Sequence, residues 1–390
     1  MLYEIHMLKN YPPTNLNRDE SGSPKTCVFN NATRGRISSQ CLKRSWRKSE
    51  FFKREVDKDS VGTRTRRLPA VICERLENCG VEQDKVAALK KRIPALLGLT
   101  AKKDDKTGEV ITEETIFYSG TDLDAIVSAM VQLLNCCETI ADIESLGEDK
   151  KDKKSKGKEK NTKLVENLKN FKKGLNEMRP ITLDIALFGR MVTSDTFKNV
   201  EASMQVAHAI STNKVARESD YFTAMDDLLE TGGAANIGDV DFNASCYYVY
   251  ASIDTDALAE NLKYADNAEE IVRKAIPALL RAMAFTDPGG KQNSFAGHVM
   301  PSVVMVECKE KKIPTSMVNA FVEPVGKDGD LVKQSAEKLA AEVDMTARNF
   351  GLEVKERLWF CVDKYDVKPE SATKICATFP ELVEAVGASL

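Results

Sequence analysis

Phe242-Asn243-Ala244-Ser245-Cys246-Tyr247-Tyr248-Val249-Tyr250-Ala251-Ser252-Ile253 is the stretch on which the fold turns. Tyr247, Val249, Ala251 and Ile253 alternate with Tyr248, Tyr250 and Ser252, and β-branched and aromatic residues crowd the run. A period of two in such residues predicts a strong strand. Leu2–Leu8 is a short apolar strand, followed by a turn at Pro12-Pro13 and a long polar loop over Thr14–Arg36. Long connections of this kind are often functional. Downstream, Ser302–Cys308 and Arg357–Val362 read as further strands, the first of them reached through a Gly289-Gly290 turn. Asn267 with Glu270 resembles a capping box that opens a helix through Ala284, with Pro277 expected to kink or break it. Further helices are expected at about Val332–Arg348 and Pro380–Val386. Upstream, strand signals return from Thr182; Val192–Asn199 carries no strong element, and Met204–Ser211 and Asp220–Leu228 flank a polar tip at Thr212–Ser219.

Residues 57–180 read differently. Val71–Cys79, Lys85–Leu96, Leu123–Leu134 and Leu164–Phe171 are helical patterns, with a hairpin around Asp104–Ser119 turning at Lys106-Thr107-Gly108. Eleven lysines fall between Lys150 and Lys173, within and beyond a low-complexity run at 148–163. Such a run is more often a solvated flexible linker than an RNA-binding tail. Residues 57–180 are therefore expected to form a helical insertion with a loop at its tip. The order strand, helix, insertion, strand, helix, strand, helix, strand is an α+β pattern, and a ferredoxin-like sheet with one helical layer is the simplest core that fits it.

The 390 residues suggest two or three domains, or one core with a large insertion. At 42% hydrophobic and 29% charged the composition is that of a globular chain, which excludes a mostly disordered, collagen-like or small disulfide-framework protein. The ten cysteines include no C-x-x-C, and with three histidines a zinc site of ordinary spacing is not expected. They read as reduced thiols of a cytoplasmic protein. No signal peptide and no membrane-spanning run is read in the chain.

The net charge is only −3, but its distribution is uneven. Residues 25–54 hold nine basic residues and one acid, Glu50, for a local +8, so the other 360 residues carry −11. A concentrated basic field of this kind attracts a polyanion. Ser38 or Ser39 is expected to cap a helix running through Glu55. On it Leu42 and Trp46 lie one turn apart, and Lys43, Arg44, Arg47 and Lys48 fall largely on the other side. A basic helix face is usually just solvated. Here it follows a loop carrying Arg18, Lys25, Arg34 and Arg36. With Ser38 and Gln40 as hydrogen-bonding groups at the helix start, the constellation suits an extended sugar-phosphate backbone.

Signals for catalysis are weak. There is no G-x-S-x-G and no phosphate-cradling G-x-x-x-x-G-K-[ST]; Gly289-Gly290-Lys291 alone reads as a turn more readily than as a phosphate contact. His6, His208 and His298 are expected to be structural. Asp226 with Asp227, and Asp239 with Asp241, are carboxylate pairs of the kind that can hold Mg²⁺, but acidic loops are common on acidic proteins. Asp19 beside Arg18 reads as a salt-bridged loop residue. No metal and no cofactor is expected.

Several blocks together carry a family resemblance: Tyr11-Pro12-Pro13-Thr14-Asn15-Leu16-Asn17-Arg18-Asp19 with Pro24-Lys25; Arg36-Ile37-Ser38-Ser39-Gln40-Cys41-Leu42-Lys43-Arg44; Asp184-Ile185-Ala186-Leu187-Phe188-Gly189-Arg190-Met191; Gln205-Val206-Ala207-His208-Ala209-Ile210-Ser211-Thr212; Asp220-Tyr221-Phe222-Thr223-Ala224-Met225-Asp226-Asp227-Leu228; and Lys291-Gln292-Asn293-Ser294-Phe295-Ala296. In this order they resemble the CasC-type backbone subunits (RAMP superfamily) of the type I-E CRISPR effector complex, Cascade. The resemblance implies a hand-shaped protein. Residues 1–56 and 181–390 would form a modified ferredoxin-like, RNA-recognition-type palm, with a protruding thumb hairpin at about 192–220. Residues 57–180 would be helical fingers.

The resemblance further implies that copies stack head to tail along a CRISPR RNA beside other Cascade subunits. They would present the guide for pairing with target double-stranded DNA in antiviral defence, with no membrane involved. Arg18, Lys25, Arg34, Arg36, Ser38, Gln40, Lys43, Arg44, Arg47, Lys48 and Lys291 would face guide phosphates. Met191 and Ile237 would act as apolar wedges between bases, or else simply pack in the core, and Thr223 would contact a base. The chain would be a non-catalytic scaffold. The alternatives are a metal-dependent endoribonuclease of the same superfamily using Asp19, and an assembly protein whose basic face binds an acidic protein. The 148–163 loop lies outside the matching blocks; its charge alone suggests contact with target DNA.

Overall fold

The computed structural model describes residues 1–55, 61–146, 162–224, 227–228, 236–326 and 328–390. The chain divides into two compact units, one formed by residues 1–56, 204–258 and 269–390, the other by 57–203 and 259–268. Residues 181–203, expected with the first unit, fall in the second.

The first unit is built on one large mixed sheet. Its strands run in the order Lys374–Cys376, Glu356–Cys361, Val303–Lys309, Leu2–Thr14, Asn236–Asp254, Ala209–Ser211, Ala32–Ile37 and Thr26–Phe29. Every neighbouring pair is antiparallel except Glu356–Cys361 with Lys374–Cys376. Leu2–Thr14 lies at the centre, Leu2 opposite Asp254 on one side and Lys309 on the other. It continues past Leu8 to Thr14, and in place of the expected turn at Pro12-Pro13, which offer no N–H to the ladder, the register shifts between Tyr11 and Thr14. The alternation in 242–253 is real, but both faces are covered: Tyr247, Tyr248, Val249, Tyr250, Ala251 and Ile253 are all buried. Tyr248 and Tyr250 join Phe321 and the apolar stripe Ala336, Leu339 and Val343 of helix Leu331–Phe350. On the other face Lys9 donates to the carbonyl of Ala284 at the end of helix Ala268–Phe285. Pro277 sits inside that helix without ending it.

The strand Asn236–Asp254 is nineteen residues long and pairs with Leu2–Thr14, Ala209–Ser211 and Met204–Val206 within the sheet. Beyond the sheet its first half pairs with Glu218–Ala224, Glu218 opposite Phe242 and Ala224 opposite Asn236. Every residue of Glu218–Ala224 is exposed, so this hairpin stands clear of the core. It lies at 218–242, after the 192–220 expected for a thumb. Two local expectations are corrected. The Thr14–Arg36 segment contains a hairpin, Thr26–Phe29 with Ala32–Ile37, in which Asn30 and Asn31 both take positive φ. The helix expected from Ser39 to Glu55 breaks at Ser49, whose backbone is extended and whose hydroxyl accepts from Phe52 N to start a second helix, Glu50–Glu55.

The second unit is mainly helical and has its own apolar core. Leu68, Ile72 and Leu76 of Leu68–Asn78 pack with Ile126, Met130 and Leu133 of Gly120–Leu134, and with Phe171, Leu175 and Phe197. Its small hairpin pairs Ala101–Lys103 with Val110–Thr112 around a turn in which Asp104 accepts from Lys106 N and Thr107 N. Where strand signals were expected after Thr182, Leu183–Phe188 is helical and closes on Gly189 at φ +78°. A Cβ at Gly189 would lie 3.0 Å from the Val200 carbonyl oxygen, so the turn requires glycine. Among the described residues no helix is long and apolar enough to cross a membrane.

Candidate nucleic-acid interface

The basic run is organised by backbone hydrogen bonds rather than by ion pairs. Asn17 accepts from Ser38 N through its side chain and from Lys25 N through its carbonyl, and Lys25 O accepts from Arg36 N. The loop 17–25 is thereby laid beside the strand Ala32–Ile37 and the start of helix Ser39–Lys48. Gly290 packs on the same loop: a Cβ there would come within 2.3 Å of the Leu16 carbonyl oxygen. Lys291 follows with a left-handed backbone, φ 52°. One shallow concavity is lined by Leu16, Arg18, Glu20 and Gly290, and a neighbouring one by Arg18, Asp19 and Lys25.

The electrostatics show which cations share a surface. Burial, then Arg36 and Lys25, hold the His208 imidazole below its ordinary proton affinity. The neutral ring therefore accepts from Arg36 Nη1 at 3.1 Å through Nδ1. Burial raises the Cys41 thiol, while Lys25 and Arg44 pull it the other way. Lys25, Arg36 and Arg44 thus converge on one patch. Among the described residues none of the three has a carboxylate at ion-pair distance. Cations without a carboxylate partner, gathered on a loop, a strand and a helix that hydrogen bonds tie together, suit polyphosphate recognition.

The candidate residues separate into groups. Arg18, Gln40, Arg44 and Lys48 are exposed, and Gln40, Arg44 and Lys48 follow at intervals of four along one helix face. Lys25, Arg36, Lys43 and Lys291 are partly exposed. Burial lowers the proton affinity of Lys43. Arg34, expected at the phosphates, is instead fully buried: Nη1 donates to the carbonyls of Ser211 and Thr212, and Nη2 to those of Phe321 and Val322. Arg47 is also buried, one residue after Trp46. Ser38 is buried and its hydroxyl accepts from Cys41 N as the helix cap, which removes it from the outer face.

The apolar candidates are outside the core. Met191 is 94% exposed in the second unit, directly after buried Arg190. In the first unit Ile237 is exposed and lies opposite Thr223 across the hairpin. Two aromatic residues that sequence reasoning passed over, Tyr221 and Phe222, are exposed on the same hairpin. Phe222 covers Gly238, where a Cβ would meet its ring at 2.6 Å. The signal was an aromatic pair in an otherwise polar stretch. Residues 229–235 and the 148–163 run, apart from Thr162 and Lys163, lie outside the described residues, as does Asp226.

Asp19 is engaged in a turn, and Asp241, on the strand Asn236–Asp254, in contacts with two other segments. Asp19 Oδ1 accepts from Ser21 N, Ser21 Oγ and Ser23 N, which holds its carboxyl below the ordinary range. Asp241 accepts from Ser23 Oγ at 2.6 Å and Ser219 Oγ at 2.8 Å. These contacts join the loop 17–25 to the base of the hairpin. Among the described residues no group of three or more His, Cys, Asp or Glu is arranged to hold a metal ion.

No curated protein sequence matches the chain. A chain of a solved structure titled CRISPR RNA-guided surveillance complex, pre-nicking, is similar over the full length of both chains at 25% identity and a TM-score of 0.80. A chain of a second, titled CRISPR RNA-guided surveillance complex, is similar in fold, also over the full length of both, at 22% identity and a TM-score of 0.71. The model of the Cas family described as CT1975-like protein matches residues 3–385. With nearly its whole length so matched, the chain belongs to the CT1975-like family of Cas proteins.

Proposed function

We propose that this protein is a non-catalytic, CRISPR RNA-binding backbone subunit of a type I-E Cascade, acting in the cytoplasm. It stacks head to tail along the guide RNA beside other Cascade subunits and presents the guide to target double-stranded DNA. The observation that carries the reading is the patch of Lys25, Arg36 and Arg44, three cations contributed by a loop, a strand and a helix, with no carboxylate partner among the described residues. Arg18, Gln40, Lys48 and Lys291 extend it. The order Val303–Lys309, Leu2–Thr14, Asn236–Asp254, Ala209–Ser211 supports a modified ferredoxin-like palm, since it is the 4-1-3-2 order of a βαββαβ sheet with the helical unit inserted. The exposed hairpin 218–242 supports a thumb, and exposed Met191 and Ile237 suit wedges that unstack bases. Family membership and the titles of the similar structures support CRISPR RNA as the nucleic acid. Asp19, the candidate for ribonuclease chemistry, has one carboxylate oxygen committed to three turn hydrogen bonds, which favours the scaffold role.

The test combines native and denaturing gels of labelled single-stranded RNA of increasing length, incubated with the full chain and Mg²⁺. The expected result is intact RNA in slow complexes that grow stepwise with RNA length. Replacing Lys25, Arg36 and Arg44 together by Ala should reduce the slope of log affinity against log salt by about 2, at about 0.7 per phosphate contact. An unchanged slope would remove the basis of the reading, and RNA fragments that vanish in Asp19→Ala would replace it with a nuclease.

A further inference from the structure

Asp241 stands where three segments of the sheet unit meet. Its Oδ2 accepts from Ser23 Oγ of the loop 17–25 at 2.6 Å, and its Oδ1 from Ser219 Oγ of the facing hairpin strand at 2.8 Å. Its carbonyl accepts from Nδ2 of the fully buried Asn15 at 2.8 Å, and the same nitrogen donates to the Gly22 carbonyl at 2.9 Å. Arg217 Nη1 donates to Ser23 Oγ at 3.3 Å, while its Nε lies 3.6 Å from Asp241 Oδ2. The bonds from Ser23 and Ser219, with the Arg217 charge adding to them, hold the Asp241 carboxyl below its ordinary range. Hydrogen bonds to an ionised carboxylate are stronger than those between neutral groups. The loop held in this way reaches Lys25 of the basic patch two residues after Ser23.

The register of the hairpin shows which of its faces these contacts turn toward the loop. Ser219 lies opposite Asp241, Tyr221 opposite Asp239 and Thr223 opposite Ile237. Directly opposed residues share a face, and so do residues two apart along one strand. Ser219 and Asp241 mark that face as the one turned toward Ser23. Exposed Tyr221, Thr223 and Ile237 therefore stand on the loop side, and Phe222, which covers Gly238, stands on the other. The cations of the patch and the uncharged side chains of this face belong to separate elements, joined at their base by one carboxylate. We infer that Asp241 is a positioning residue for RNA: it fixes the hairpin to the phosphate-binding loop, so that contacts made on the two sides are energetically coupled. When the two elements are held in one geometry, RNA bound by either is presented to the other, and the loss of one contact reduces what the other contributes. The inference rests on the RNA-binding reading and adds to it the residue that aligns its two sides.

The experiment measures filter retention of a short labelled single-stranded RNA that takes one copy of the full chain. Lys25→Ala, Ile237→Ala and the double variant are compared in the native background, in Asp241→Ala and in Ser23→Ala. With the Asp241–Ser23 contact in place, the double variant should lose about fivefold less affinity than the product of the two single losses. In Asp241→Ala and in Ser23→Ala the double loss should equal that product within about twofold. A merely structural role for Asp241 would lower the affinity of every variant by one common factor and leave the departure from the product unchanged. Losses that multiply in the native background, or a departure that survives in both Asp241→Ala and Ser23→Ala, would overturn the positioning role and leave the RNA-binding reading standing. Absence of RNA retention by the unmodified protein would overturn both.

Discussion

Arg34 and Arg44 are the same side chain in one basic run, yet they do different physical work. Arg34 is enclosed, with four backbone carbonyls as acceptors from two separate segments, so it ties the strand Ala32–Ile37 to residues 211–212 and 321–322. Arg44 points outward with no carboxylate partner among the described residues. Arg34→Ala leaves buried carbonyls without a donor and should lower stability by about 3 kcal/mol. The check is a shift of the denaturant midpoint at unchanged slope. Arg44→Ala should leave the midpoint within about 0.5 kcal/mol and weaken RNA binding instead. Equal midpoints for the two variants would mean that the separation of roles is wrong.

Helix Ser39–Lys48 shows how an element distributes such roles. Leu42 and Trp46 face the core as their spacing predicts, and Gln40, Arg44 and Lys48 form the outer stripe. Ser38 belongs to neither face, because its hydroxyl satisfies the Cys41 amide. Ser38→Ala should therefore cost about 1 kcal/mol in stability, while folded protein keeps its RNA affinity within about twofold. A melting curve and a filter assay on the same preparation decide it: a large affinity loss with no stability loss would return Ser38 to the phosphate contacts. The break at Ser49 was not legible, since Glu50–Glu55 is compatible with a continuing helix. It exists because the Ser49 hydroxyl caps a second helix that buries Phe52.

At the scale of the whole molecule, the central sheet carries a charged network in its interior. Glu4 and Glu307 both pair with Lys309, and Glu307 also pairs with Arg357 at 2.6 Å. His6 Nδ1 faces the Tyr248 hydroxyl at 2.8 Å, and that hydroxyl also accepts from Met317 N. The tyrosine proton is thus directed at a neutral imidazole. Burial, with Lys309 and Arg357 adding to it and Glu307 opposing, lowers the His6 pKa to about 4 from 6.5. Below pH 6.5 the unfolded chain takes up a proton that the folded chain refuses, so stability falls as pH drops from 6.5 towards 4, by up to about 1.4 kcal/mol per pH unit. Burial would raise Glu307, but His6, Lys309 and Arg357 hold it below its ordinary value, which adds acid sensitivity below its unfolded pKa of 4.5. Burial keeps Glu4 raised, which opposes this trend. Urea unfolding at pH 7, 6 and 5 should show the decline, and His6→Gln should flatten it. A wild-type protein that is equally stable at all three would contradict the network.

The sequence alone determined what depends on neighbours in the chain. The alternation at 242–253, the Leu42–Trp46 pair, the helical patterns of 57–180 and the concentration of charge at 25–54 were all legible there, because strand period, helix period and local charge are properties of contiguous residues. The quoted motif blocks likewise sufficed for the family resemblance. What distant segments decide was not legible. Arg34 became interior because carbonyls from residues 211–212 and 321–322 converge on it. The exposed hairpin at 218–242 forms because one strand pairs with Leu2–Thr14 at one end and with Glu218–Ala224 at the other. Residues 181–203 joined the helical unit because Phe197 completes its core. In each case burial and hydrogen-bond satisfaction depend on residues far away in the chain, and only the folded protein brings those residues together.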